Sequence, residues 1–527
     1  MNYEPKSIAQ VFDEICLRSP DNISLIFDDE VLSFRDLFNC VTNFAKNLIN
    51  LGVKKDDRVA IILPNCKEYI ITYFALFKIG AWAMPVNTRW EADEINNIFL
   101  DAKPNTVILK EQIGVINYLD IAEDIRLKND FIKNMILVVN EEVPADNIHN
   151  FNVLMKNPKN NIQFNDVFPD DVAMLSYTSG TTGKPKGVMI SHKNFYLTSL
   201  HTTNTWGMKD ELPLSIAPLY AAQGFLAMLI DFVGKGAMHF ISTFNPNEIL
   251  KAISNGKNTA IHTQPTMWSL LLASRAINFT NFSSLKKVVV SGSLCSYHLA
   301  KSIEERVGCI LLNAYGLVEA TSVVTLTKPD DSSDVRLNSV GRPIEGVAIK
   351  IVDENRKEVP KGEVGELAVK GYLMKGYYNN EKKTKEIIDE EGWLYTGDLA
   401  KFYDDENISI VGRCKDMIIR GGFNIYPIDI EEILLKHPSV QDAAVVGKNH
   451  DVIGEQTVAF IIPKPGAVLD KNQILAFCKG KIANYKIPDD VIFISQMPII
   501  LSGKVKKNTL KEWAEKGVPE NELFLFQ

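Results

Sequence analysis

The sequence predicts an α/β protein in two parts, a large N-terminal domain on largely parallel sheets and a small α+β domain behind it. Three observations lead there. At 527 residues the chain is too long for one ordinary hydrophobic core. Apolar runs of strand length alternate with helical patterns as far as about residue 405, the texture of βα units. Beyond that point short strand candidates crowd around fewer helices.

The opening MNYEPKSIAQVFDEICLRSPDN has no basic start followed by an apolar run, so no signal peptide is expected. VAIILP (59–64) reads as a buried strand and EYIITYFALFKIGA (68–81) as the helix after it. The stretch 155–171, rich in Asn, Pro and Asp, reads as a surface connection. VAMLSY (172–177) is a strand delivering the chain into YTSGTTGKPKG (177–187). Residues 212–230 run 19 positions without a charge. Two prolines, a Gln and a Gly interrupt them, so they read as strand, loop and helix rather than a membrane span. KVVVSGS (287–293) and YHLAKSIEERVG (297–308) repeat the strand-then-helix pattern. Later come NISIVG (407–412), MIIRGG (417–422), AAVVGK (443–448), TVAFIIP (457–463) and VIFIS (491–495). They surround the helix PIDIEEILLKH (427–437), whose proline suits a first turn. The expected division is 1–412 and 417–527, joined through 413–416.

Composition narrows the function. A net charge of −8 and the lack of any basic block argue against a general nucleic-acid binder. Seven scattered cysteines with no C-x-x-C read as reduced thiols of a cytoplasmic protein, without a zinc site.

The stretch 177–187 fits no packed core. Gly180, Gly183 and Gly187 let backbone amides approach an anion closely. Thr178, Ser179, Thr181 and Thr182 add donors, and Lys184 and Lys186 add positive charge. The natural reading is a phosphate-gripping loop, although Gly180 and Gly183 stand too close for a G-x-x-x-x-G-K-[ST] loop. Taken alone, a flexible Gly/Thr surface loop is the alternative.

This stretch resembles the phosphate loop of the adenylate-forming (AMP-binding) superfamily, in particular its acyl-CoA synthetase branch. The resemblance continues in order through NAYGLVEA (313–320), GELAVKGYLMKGYYNN (365–380), GWLYTGDLA (392–400), GRCKDMIIRGGFNIYP (412–427) and LSGKVKK (501–507). It implies a large multi-layer α/β N-terminal domain and a small mobile α+β C-terminal domain. It also implies ATP, Mg2+ and CoA, with a carboxylic acid activated as acyl-AMP before a thiol displaces AMP.

The resemblance also assigns residues. Thr178, Ser179, Gly180, Thr181, Thr182 and Lys186 would hold phosphates, and Glu319 with Thr178 would bind the magnesium ion. Gly292, Ser293 and Leu294 would line one side of the adenine, and Asn313, Ala314 and Tyr315 the other. Asp398 would accept from both ribose hydroxyls, with Arg413 beside it. Lys504 would bridge the carboxylate and the α-phosphate. Lys415 would be the hinge about which the small domain swings, presenting first Lys504 and then the Gly421–Gly422 loop to the pantetheine thiol.

Ala217–Gly224 resembles the acyl-site motif, with Tyr220, Ala221, Gly224 and Gly316 near the acid and CoA. The segment has no acidic residue, so a substrate ammonium would be buried unpaired and an α-amino acid is not expected. Uncharged Phe225, Met267 and Trp268 favour a fatty or aryl acid, with plain core as the other reading of Trp268. Two positions depart from the family pattern. Ala221 replaces a usual histidine, and Val318 a usual threonine whose hydroxyl Thr321 or Ser322 would have to supply. A carrier-protein phosphopantetheine arm is the alternative acceptor, and a degenerate adenylate-binding relative is the alternative to an enzyme.

Overall fold

The computed structural model describes residues 3–28, 30–140, 147–156, 158, 162–178, 185–499 and 505–524. Ser179–Lys184 and Lys504 lie outside the described residues.

Strand Arg58–Ile62 leads to helix Lys67–Ile79, which ends at Gly80 in the left-handed conformation with φ +79°. That cap frees the last helical carbonyls from needing water and turns the chain into strand Trp82–Pro85. The helix is buried on almost every side, as an all-round apolar sequence requires. The uncharged 212–230 stretch divides into strand Pro213–Ser215, a loop and helix Ala222–Val233. Among the described residues no helix is long and apolar enough to cross a membrane.

Two large sheets are parallel at their centres. Among the described residues one has nine strands and the other eight; in the first, 213–215, 260–263, 287–290 and the start of 310–315 pair in parallel. In the second, 58–62 is flanked in parallel by 82–85 and 106–109. Strand alternation assigns their faces. Val59 and Ile61 join a central core with Ala260, Val289 and Leu312 of the other sheet and with helices Ile8–Arg18, Phe34–Asn50 and Lys67–Ile79. Ala60 and Ile62 face helices Ala92–Ala102 and Tyr118–Lys128 instead. Ile261, Val288 and Leu311 face the outer helices Pro246–Ser254 and Tyr297–Val307. The result is five layers, helix, sheet, helix, sheet, helix.

A third sheet is antiparallel: 348–352, 365–370, 394–402, 408–413. Strand Ile408–Arg413, grouped by sequence texture with the later strands, is the edge of this sheet. Its register against 398–402 gives it a ladder there, and texture alone could not show that partner. One turn of 3-10 helix, Cys414–Asp416, separates it from the last sheet. In that sheet long strands Val440–His450 and Gly454–Pro463 pair antiparallel, with Asp490–Phe493 parallel at the edge. Val445 and Ile461 face helices Pro427–Leu434 and Lys471–Cys478, and Val446 and Phe460 face helix Lys507–Lys516.

Candidate active site

Parallel neighbours in a sheet end at the same edge, where α/β folds bind ligands. Loop 217–221 follows strand 213–215, Ser291–Leu294 follows strand 287–290, and Tyr315–Gly316 closes strand 310–315. Segments far apart in sequence therefore meet at one edge of the sheet. In the second large sheet, Thr178 is the last residue of strand Val172–Thr178, whose partner strand begins opposite it at Lys186.

Gly292 adopts φ +85°, and a Cβ there would meet Gln223 Oε1 at 2.4 Å. The Gln223 amide donates to Ser291 Oγ (2.6 Å) and to the Thr263 carbonyl (3.2 Å), and its oxygen accepts from Gln264 (2.9 Å). This neutral network ties helix 222–233 to two strand ends. Leu294 is exposed, an open position suited to a ligand. Asn313 is buried, and its amide donates to the Arg336 carbonyl, so that side chain is spent on packing.

Tyr315 reaches across to the third sheet. Its hydroxyl donates to Asp398 Oδ2 (2.7 Å), while Arg413 Nε stands 3.0 Å from Oδ1. Asp398 and Arg413 are register partners in their ladder, which sets the pair's geometry through the backbone. Asp398 is 7% exposed, and burial beside this carboxylate holds the Tyr315 phenol well above its usual pKa. Gly397 adopts φ +71° in the turn before Asp398.

Glu319 sits in the 3-10 turn Val318–Ala320 and accepts from Tyr377 through Oε1 (2.8 Å). Burial and this carboxylate push the Tyr377 phenol upward in pKa. The Lys186 ammonium lies over the Tyr377 ring, 5.0 Å from its centre. One tyrosine thus links Lys186, at the start of strand 186–191, to Glu319, and sequence reasoning missed it. Its motif GYYNN was recognised, but nothing there marks which tyrosine faces the carboxylate.

Among the described residues no cluster of three or more His, Cys, Asp or Glu side chains could hold a metal. A single carboxylate such as Glu319 nevertheless suits a magnesium ion, which takes most of its ligands from phosphates and water.

The residues expected at the acyl site separate into two groups. Tyr220 and Ala221 are half-exposed, Ala221 capping helix 222–233 without a side-chain bond. Gly224 is buried, and a Cβ on it would stand 2.1 Å from the Pro218 carbonyl oxygen. Gly316 is held as closely, 2.1 Å from the Ser322 carbonyl oxygen by the same measure. Phe225 and Trp268 are corrections: both are fully buried in packed cores, Phe225 against Tyr73 and Phe195, so neither argues for the acid's character. Thr321 does not stand in for a hydroxyl at Val318, because it is wholly buried and donates to the Tyr372 carbonyl (2.7 Å). The Ser322 hydroxyl is buried with no partner among the described residues.

Lys415 lies in the turn 414–416, its carbonyl accepting from Lys511 (3.3 Å) and its own ammonium lowered in pKa by burial. Gly421 and Gly422 are exposed at the tip of the hairpin formed by Ile418–Arg420 and Phe423–Ile425.

The model of the AMP-binding enzyme family matches residues 12–378, and that of the AMP-binding enzyme C-terminal domain matches 429–504. YngI of Bacillus subtilis, which carries an acyl-CoA synthetase name, is 32% identical over 96% of this chain and 96% of its own. The mitochondrial medium-chain acyl-CoA ligase ACSF2 of Rattus norvegicus is 30% identical over 97% of this chain and 88% of its own. The structure of the anthranilate CoA ligase AuaEII in complex with anthranoyl-AMP superposes with a TM-score of 0.88 at 25% identity, covering 98% of each chain. The chain belongs to the AMP-binding enzyme family, in its branch of AMP-forming acid–CoA ligases.

Proposed function

We propose that this acid–CoA ligase activates a fatty or aryl acid, with no charge beyond its carboxylate, in a crevice at the strand ends. ATP and CoA are the co-substrates its family implies. A carboxylate oxygen attacks the α-phosphorus of ATP, the bond to the β-phosphate oxygen breaks, and pyrophosphate leaves. The CoA thiol then attacks the acyl carbon, and AMP departs with the electrons of the broken C–O bond.

The observation that carries the nucleotide site is Asp398, pinned between Tyr315 and Arg413 at the edge of that crevice. Two of its roughly four lone-pair sites are engaged, leaving two for the ribose diol. Exposed Gly292 and Leu294, with half-buried Ser293 between them, would take one face of the adenine, with Tyr315 and the backbone of 313–314 on the other. Thr178 and Lys186 would hold phosphates together with Ser179–Thr182. Glu319 and Thr178 would hold magnesium, which supplies neutralisation of phosphate charge when bound. Lys504 would bridge carboxylate and α-phosphate during adenylation.

The division into 1–412 and 417–527 belongs to the same reading, with a pivot at 413–416 and Lys415 its hinge. Rotation there would withdraw Lys504 and bring up the Gly421–Gly422 tip for thioester formation. A cytoplasmic location fits the scattered cysteines, all free thiols. The absence of a charged residue from 217–224 supports an acid with no further charge.

A pyrophosphate-release screen over fatty, aryl, dicarboxylic and α-amino acids, with mass spectrometry of the CoA products, tests the reading. Turnover with fatty or aryl acids and a CoA thioester is expected. Turnover with amino acids alone would overturn the substrate class. Thioester formed only on a carrier-protein arm would replace CoA as acceptor.

A further inference from the structure

The chain leaves the described residues at Ile499 and returns at Val505. These two residues form an antiparallel bridge, and the Lys506 amide donates to the Pro498 carbonyl (2.7 Å). Immediately beyond, Lys507 opens helix Lys507–Lys516. A cation in the first helical turn opposes the helix dipole, so another interaction must favour it there. That interaction is visible. The Lys507 ammonium lies 2.8 Å from Glu431 Oε1 on helix Pro427–Leu434 and donates to the Val445 carbonyl at 3.3 Å. The same Glu431 oxygen accepts from the Val445 amide (2.8 Å), so carboxylate, ammonium and strand 440–450 close a ring. Both side chains are largely withdrawn from solvent, at 22% and 13% exposure, which protects the pair from screening. Helix 427–434 also packs against strand 408–413, directly before the turn 414–416.

We propose that Glu431 is a positioning residue for adenylation. Through Lys507 it fixes the root of the segment that carries Lys504, three residues earlier. The proposal rests on the assignment of Lys504 to adenylation. Holding a catalytic group matters because a displacement of about 1 Å costs on the order of a hundredfold in rate. Glu431 touches no reacting atom in this account and acts only by holding the chain.

The test separates the two half-reactions in the full-length enzyme. Adenylation is read as acid-dependent pyrophosphate–ATP exchange, and thioester formation as CoA thioester from supplied acyl-AMP. Glu431→Gln and Lys507→Met should each slow adenylation about tenfold to a hundredfold, with KM for ATP and the thioester step within about twofold of wild type. The double variant should be no worse than the poorer single, and Lys507→Arg should retain most of the rate. Urea midpoints of all variants accompany the kinetics. Equal losses in both half-reactions would make the pair merely structural and overturn the proposal. So would unchanged adenylation in Glu431→Gln and Lys507→Met. Lys504→Ala is the reference: loss confined to adenylation upholds its assignment, so a failure of Glu431→Gln then counts against the proposal alone. Equal loss of both steps in Lys504→Ala would overturn the assignment and the proposal with it.

Discussion

Replacing Asp398 by Asn alters one oxygen and tests the nucleotide site quantitatively. In the native chain Oδ2 accepts from Tyr315 and Oδ1 faces Arg413. An Asn oxygen must stay toward Arg413, since an amide N–H there would confront another donor. The new NH2 then faces Tyr315, whose hydroxyl can rotate to accept, so the fold is expected to tolerate the change. Acceptor sites fall from about four to about two, and Arg413 uses one of them. Only one remains for a ribose diol, and one hydroxyl goes without its partner. A hydrogen bond to a charged acceptor is worth roughly 1.5–3 kcal/mol, so KM for ATP should rise about tenfold to 150-fold. The assay is pyrophosphate release with ATP and with 2′-deoxy-ATP. Wild type should prefer ATP by a comparable factor, and Asp398→Asn should lose most of that preference. A variant that still discriminates fully between the two nucleotides would refute the diol assignment, whatever its absolute rate.

Val318→Thr should speed adenylation by up to about a hundredfold if the lost hydroxyl is missed, because Thr321 is already committed to Tyr372. An unchanged rate combined with damage from Ser322→Ala, measured by pyrophosphate release, would assign the contact to Ser322 instead. Lys415→Pro should slow one half-reaction selectively by fixing φ at the turn 414–416, and full activity in both steps would move the pivot elsewhere. His192 is fully buried, and burial lowers its pKa from 6.5 to about 3. The unfolded state therefore binds the extra proton between these values, so stability present above pH 6.5 is lost as pH falls toward 3. His192→Leu should flatten that decline in urea midpoints, and an identical slope would show that other groups cause it.

The α/β character of the large domain was legible because βα alternation is a local property, whereas its five layers depend on how the faces of two sheets are covered. Val59 and Ala60 differ in face by one position, and the structure puts them in different cores. The candidate site was legible wherever a motif follows a strand, since parallel neighbours deliver their loops to one edge. What holds the motifs in place was not. Arg413 could be placed beside Asp398 from its motif, but Tyr315, the other partner of Asp398, is 83 residues away and Tyr377, the partner of Glu319, is 58 away, and composition cannot pair residues at such distances. Strand 408–413 shares the texture of the later strands although the expected division keeps it in 1–412, and its ladder partner is invisible locally.

The misreading of Phe225 has a finer cause. Successive residues on a helix point about 100° apart, so apolar character near a motif does not say which of them lines a site. Here Gly224 decides. Its backbone presses so closely on Pro218 that no Cβ fits, and this fixes the first turn of helix 222–233 against its own incoming loop. From that seat Phe225 turns inward to Tyr73 and Phe195, while half-exposed Gln223 turns to the strand ends. Gln223 bonds there to Thr263, Ser291 and Gln264, all without charge. The residue at these strand ends is thus a neutral amide already occupied by its neighbours. It offers no counter-ion to a substrate ammonium, and an acid with no further charge leaves its bonds undisturbed.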